Sequence, residues 1–143
     1  MKKRRKEGAV GSARVIVADD HRLLRAGIAH ILASAPGFEV VGEAKDGSEA
    51  VALCEKMRPD LALMDVQMPG MDGLEATREI KARWPRTCIV MVTAHDDPEY
   101  VYEALKAGAA GYVLKHASPE EMVSDTRKAL AGESLLPRPS PPG

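Results

Sequence analysis

Cysteine is scarce in this chain, with only Cys54 and Cys88 in 143 residues and no CxxC pair. That excludes a disulfide framework and a cysteine-rich zinc site. It suits a reducing compartment, so a cytoplasmic location is expected. No apolar run approaches the ~20 residues of a bilayer span, and no membrane association is expected. The N-terminus carries Lys2, Lys3, Arg4, Arg5 and Lys6 without an apolar segment behind them, so no secretion signal is read. A basic surplus is also missing. Lys and Arg total 20 against 21 Asp and Glu, a formal net charge of −1, whereas a dedicated nucleic-acid binder usually carries excess positive charge. Glycine-rich phosphate loops of the GxGxxG or GxxxxGK[ST] kind do not follow the first apolar run, where acidic residues stand instead and would repel phosphates. There is no internal repeat.

What is present is a regular alternation. At 45% hydrophobic and 29% charged, the chain has the composition of a folded core, and its length fits one domain. Short apolar runs recur at residues 15–18, 38–41, 61–64, 89–92 and 111–114. Each has strand length and is rich in β-branched residues or bounded by turn signals. Helical periodicity fills the intervals. Leu24, Ile28, Ile31 and Leu32 share one helical face, and Pro36-Gly37 ends it. Ala50, Leu53, Cys54 and Met57 form a second stripe that stops near Pro59, and a third helix spans about 74–84. Asp97 is placed to cap a fourth helix, with Pro98 in its first turn and Gly108 at C′. Ser118 and Glu121 have capping-box spacing at the head of a fifth, which ends at Gly132. Residues 1–12 read as a basic solvated tail, 13–132 as the folded domain, and 133–143, with Pro137, Pro139, Pro141 and Pro142, as a linker or tail. Strands alternating with helices imply right-handed βαβ crossovers, hence an α/β fold with a parallel sheet covered on both faces.

In such a sheet, ligands bind outside the carboxyl ends of the strands. The residues there carry the functional information. Asp19 and Asp20 follow the first run, Asp65 the third, Thr93 the fourth and Lys115 the fifth. The second ends in Glu43 and Ala44 with no comparable group, which places it at an edge. If the other four strands are neighbours, one crevice collects three carboxylates, a hydroxyl and an ammonium. Three carboxylates repel one another, and at least one stays protonated unless a cation sits among them. Hard oxygen ligands with room for water suit Mg²⁺. Thr93 and Lys115 offer the donor and the positive charge that phosphoryl oxygens need. The set fits formation of an aspartyl phosphate, with Asp65 as nucleophile and the Asp19-Asp20 pair holding metal. Taken singly, each residue has an ordinary explanation: Asp20 as a helix cap, Thr93 as a strand end, Lys115 as a solvated charge. Their coincidence at equivalent strand ends is what points to chemistry.

The same residues resemble a known family. The stretches Val15-Ile16-Val17-Ala18-Asp19-Asp20-His21, Asp60-Leu61-Ala62-Leu63-Met64-Asp65-Val66-Gln67-Met68-Pro69-Gly70-Met71-Asp72-Gly73, Val92-Thr93-Ala94 and Gly108-Ala109-Ala110-Gly111-Tyr112-Val113-Leu114-Lys115 are similar to the response-regulator receiver domains of two-component signalling. The resemblance covers about residues 13–132. The stretches 21–27 and 40–44 look like the NarL/LuxR-type subfamily.

This resemblance implies a flavodoxin-like, doubly wound, five-stranded parallel sheet of order 2-1-3-4-5 with five helices. It implies that Asp65 accepts a phosphoryl group from a sensor histidine kinase, and that Asp19, Asp20, Asp65 and the backbone carbonyl of Gln67 hold Mg²⁺. Thr93 and Lys115 would contact the phosphoryl oxygens, Tyr112 matches an aromatic switch position, and Ala94, Gln67 and His95 would lie at the pocket mouth. His116 departs from the pattern, since many receivers have proline after the lysine. The stretch 68–73 reads as a turn in which Gly70 and Gly73 permit backbone angles that other residues resist. The implied output is a changed protein surface, homodimerisation on phosphorylation, and control of transcription through a LuxR-type DNA-binding domain that does not occur within these 143 residues. The alternative is a stand-alone receiver acting as a protein-interaction module without DNA binding. An enzyme in the usual sense is not expected, because the domain would catalyse at most its own phosphorylation and dephosphorylation. A phosphatase of the haloacid-dehalogenase kind would need a second aspartate two residues after Asp65, where this chain has Gln67.

Overall fold

The computed structural model describes residues 12–94 and 98–132. Strands and helices alternate along them: β1 (Ala13–Ala18), α1 (Arg22–Ser34), β2 (Phe38–Ala44), α2 (Gly47–Met57), β3 (Leu61–Asp65), α3 (Gly73–Arg83), β4 (Cys88–Thr93), α4 (Pro98–Ala107), β5 (Gly111–Leu114) and α5 (Pro119–Leu130). Neighbouring strands pair in parallel, in the order β2-β1-β3-β4-β5. This is the flavodoxin-like order the resemblance implied, with β2 at an edge.

Alternation along each strand divides the sheet between two cores. Ile16, Ala62, Met64, Ile89 and Met91 face one core, packed against Ala50 and Cys54 of α2, Ala76 and Ile80 of α3 and Ala104 of α4. Val15, Val17, Leu61, Leu63, Val90 and Val92 face the other, against Ile28 and Leu32 of α1 and Met122 and Ala129 of α5. Burial on both faces explains why the central strands read as unbroken apolar runs. Each fully buried Leu, Ile or Val contributes about 1.5–3 kcal/mol by transfer from water.

The strands reach further than their apolar runs. Asp65 and Thr93 are the last residues of β3 and β4, and β2 continues past Val41 through Gly42 and Glu43 to Ala44. Its register with β1 slips between Val15 and Ile16, leaving Val41 as an extra residue on β2. An edge strand tolerates such a bulge because only one side of its ladder is disturbed.

Local chemistry sets the helix ends. Asp46 and Asp72 accept hydrogen bonds from the Glu49 and Glu75 amides at 2.8 and 2.9 Å. Ser118 and Glu121 form the expected reciprocal box at 3.0 and 3.1 Å. Gly37, Gly108 and Gly132 take φ of 91, 109 and 93° just beyond α1, α4 and α5, a left-handed turn that suits glycine. At the first helix the ordinary explanation of Asp20 does not hold, because Asp20 does not cap it. Its N-cap is His21, with no side-chain cap bond. Asp97, expected to cap α4, lies outside the described residues, as do the two tails apart from Ser12. No helix among the described residues is long and apolar enough to cross a membrane.

Candidate functional site

The chain leaves β1 for β2 on one side and returns to β3 on the other. A crevice therefore opens between the carboxyl ends of β1 and β3. Asp19, just past β1, and Asp65, closing β3, are only 1% and 3% exposed. Lys115 follows β5, and its backbone amide is held by the Thr93 carbonyl at 2.8 Å. From there its ammonium donates to Asp65 Oδ2 at 3.0 Å and lies 3.7 Å from Asp19 Oδ2. The Gln67 amide donates to the other Asp65 oxygen at 3.3 Å. Asp65, Gln67, Thr93, Ala94 and Lys115, together with His21 and Tyr100, line a cavity of about 70 Å³.

Burial pushes the Asp65 carboxyl above its ordinary value; the hydrogen bond from Lys115 opposes the shift, and the charge of Asp19 adds to it. Asp19 Oδ2 is buried and, among the described residues, is the buried side-chain oxygen that lacks a hydrogen bond. An unsatisfied buried acceptor costs about 1–3 kcal/mol, more if charged. Asp19, Asp20, His21 and Asp65 each offer one ligand atom, all within 4.8 Å of one another. Three carboxylates with an orphaned oxygen among them fit a hard divalent cation such as Mg²⁺.

The structure thus gathers Asp19, Asp20, Asp65, Gln67, Thr93, Ala94 and Lys115 at one end of the sheet. His95 lies outside the described residues. Tyr112, half-buried on β5, lines a separate groove with Leu114, His116, Ala117, Glu121 and Asp125. Gly73 needs no unusual backbone angle, unlike Gly70 at φ 71°. It is glycine because a Cβ there would stand 2.0 Å from the Asp65 carbonyl oxygen. Three lining residues, His21, Val66 and Tyr100, escaped the sequence reading. His21 was signalled only by its adjacency to the aspartate pair. Tyr100, whose hydroxyl accepts a hydrogen bond from Gln67 Nε2 at 3.0 Å, carries no local signal.

Residues 15–127 match the response regulator receiver domain family. The chain belongs to that family. This receiver domain is 43% identical over 123 residues to the uncharacterized transcriptional regulatory protein YxjL of Bacillus subtilis, covering 86% of this chain and 56% of that protein. It is similar to the signal receiver domain of the putative response regulator NarL from Mycobacterium tuberculosis, with a TM-score of 0.82 and 39% identity across 87% of this chain and 100% of that one. A LuxR-family two-component response regulator from Aurantimonas sp. gives a TM-score of 0.83 at 36% identity, across 88% of this chain and 90% of that one. The chain spans about half the length of the curated relatives it matches, 56% in the case of YxjL. Receiver domains of this family interact with histidine kinases and bind Mg²⁺ at the acidic pocket. They are signalling modules rather than a classical enzyme family.

Proposed function

We propose that this receiver domain takes a phosphoryl group from a sensor histidine kinase onto Asp65 and transmits the event by repacking the surface around α4, β5 and α5. One juxtaposition carries the reading: a lysine ammonium 3.0 Å from Asp65 Oδ2, beside a buried Asp19 oxygen that accepts no hydrogen bond. An Asp65 oxygen attacks the phosphorus of the donor phosphohistidine. The O–P bond forms as the P–N bond breaks, and the electron pair leaves on the imidazole nitrogen, which takes a proton from water. Lys115 and Thr93 hold the phosphoryl oxygens, and Ala94 is small enough to let them approach. Asp19, Asp20, Asp65 and the Gln67 carbonyl hold Mg²⁺, which supplies charge neutralisation for the incoming group.

The new phosphate adds roughly −1.5 to −2 charges at one point. Thr93 is drawn toward it, and Tyr112, on the strand paired with β4, turns into the vacated space. The outcome is a shifted balance between two packings, read out as homodimerisation. The transcriptional output passes through a LuxR-type DNA-binding domain outside these residues, in the cytoplasm, with 13–132 as the signalling domain. Intact-mass measurement after incubation with acetyl phosphate and Mg²⁺ tests the phosphoacceptor. Wild type gains one phosphoryl group and Asp65→Asn gains none; equal uptake by both overturns the assignment.

A further inference from the structure

We infer that His21 is a nitrogen ligand of the cation in this pocket and shifts its preference from Mg²⁺ toward borderline divalent ions such as Ni²⁺. The inference rests on the cation-site reading above and adds a residue to it. His21 Nδ1 lies 3.2 Å from Asp19 Oδ1 and 3.3 Å from Asp20 Oδ1. In an octahedral shell with bonds near 2.1 Å, adjacent ligand atoms stand about 3.0 Å apart and opposite ones about 4.2 Å apart. The four candidate ligand atoms all lie within 4.8 Å of one another, close to the span of one such shell.

Packing does not account for the ring's position, because the His21 side chain is 68% exposed. Although His21 is the N-cap residue of α1, its side chain makes no cap bond. The backbone beneath it is held in place: the His21 amide donates to Asp19 Oδ1 at 2.8 Å, and Arg25 donates through its guanidinium to the Asp19 carbonyl at 2.8 Å and through its amide to the His21 carbonyl at 2.9 Å. The same Asp19 carboxylate carries the buried oxygen, Oδ2, that accepts no hydrogen bond. Carboxylates and water suit Mg²⁺, whereas imidazole favours later and softer divalent metals. One nitrogen in the shell therefore strengthens Ni²⁺ binding while changing Mg²⁺ binding little.

Electron spin-echo modulation of Mn²⁺ bound to the full chain tests this directly. A nitrogen coupling is expected in wild type and is lost in His21→Ala. Calorimetric titration with Ni²⁺ and with Mg²⁺ should show the Ni²⁺-over-Mg²⁺ preference falling about tenfold in His21→Ala, with circular dichroism unchanged. Bound Mn²⁺ without nitrogen coupling, or a preference equal in wild type and variant, overturns the role of His21 and leaves the carboxylate site standing. Ion binding that is absent in wild type, or unaffected by Asp19→Asn, overturns the cation pocket itself. If His21→Ala fails to fold, the wild-type spin-echo spectrum alone decides.

Discussion

Asp65 is held at a cost. Its carboxyl titrates above the ordinary 3.8 because burial outweighs the help from Lys115. Between the unfolded value and the raised folded one, the folded chain binds more protons than the unfolded chain. Stability therefore falls as pH rises through that window, and the ionised carboxylate is destabilising at neutral pH. Asp65→Asn is expected to be more stable than wild type toward urea at pH 7 without divalent ions, and the gap should close below about pH 3.8. Lys115→Met is expected to lower the rate of phosphorylation by acetyl phosphate about 10²-fold, the scale of losing one charged donor to developing phosphoryl charge. Stopped-flow or intact-mass time courses measure it. Burial raises the Cys54 thiol to about 11. Because the thiolate is the reactive form, Cys54 should resist iodoacetamide at pH 8 in the native state and react once urea unfolds the chain.

Among the elements, α3 packs against the site, and α5 stands outside it. Gly73 opens α3 against the Asp65 carbonyl, where a Cβ would meet backbone at 2.0 Å and the Met91 methyl at 3.1 Å. Gly73→Ala must displace either β3 or α3, and should cost about 1–3 kcal/mol by overpacking. Its phosphorylation rate should fall as well, since the backbone that moves is that of the acceptor. Ser118 and Glu121 satisfy each other's amides at the head of α5. Ser118→Ala should cost about 1 kcal/mol in urea denaturation and leave phosphorylation unchanged, because neither Ser118 nor Glu121 lines the Asp65 cavity. Ser118 and Glu121 were legible in the sequence through their three-residue spacing. Asp46 and Asp72, equally good caps, were overlooked because an aspartate before a helix is also an ordinary turn residue. The bulged edge of β2 was under-read because Gly42 and Glu43 interrupt the apolar run on which strand assignment relies.

At the scale of the whole molecule, the acidic pocket couples ligand binding to folding. A cation that binds only the folded chain adds about 2.7 kcal/mol at one hundred times its Kd. Thermal unfolding with and without Mg²⁺ should show the corresponding rise in Tm for wild type and none for Asp19→Asn, which removes a carboxylate from the buried side of the cluster. The gain also offsets the repulsion between Asp19 and Asp65 that Lys115 only partly relieves.

The linear chain by itself determined the alternation of strands and helices, the edge position of β2, and the set of polar residues closing each strand. Those features follow from side-chain periodicity and from caps at constant offset, which act between near neighbours. Only the tertiary structure decided that Lys115 reaches Asp65 across fifty residues of sequence, that His21 turns its ring toward two carboxylates, that Tyr100 meets Gln67, and that Gly73 is required by close approach rather than by its backbone angle. Each of these is a through-space distance between elements, set by how helices settle on a twisted sheet, and no local pattern of residues encodes it.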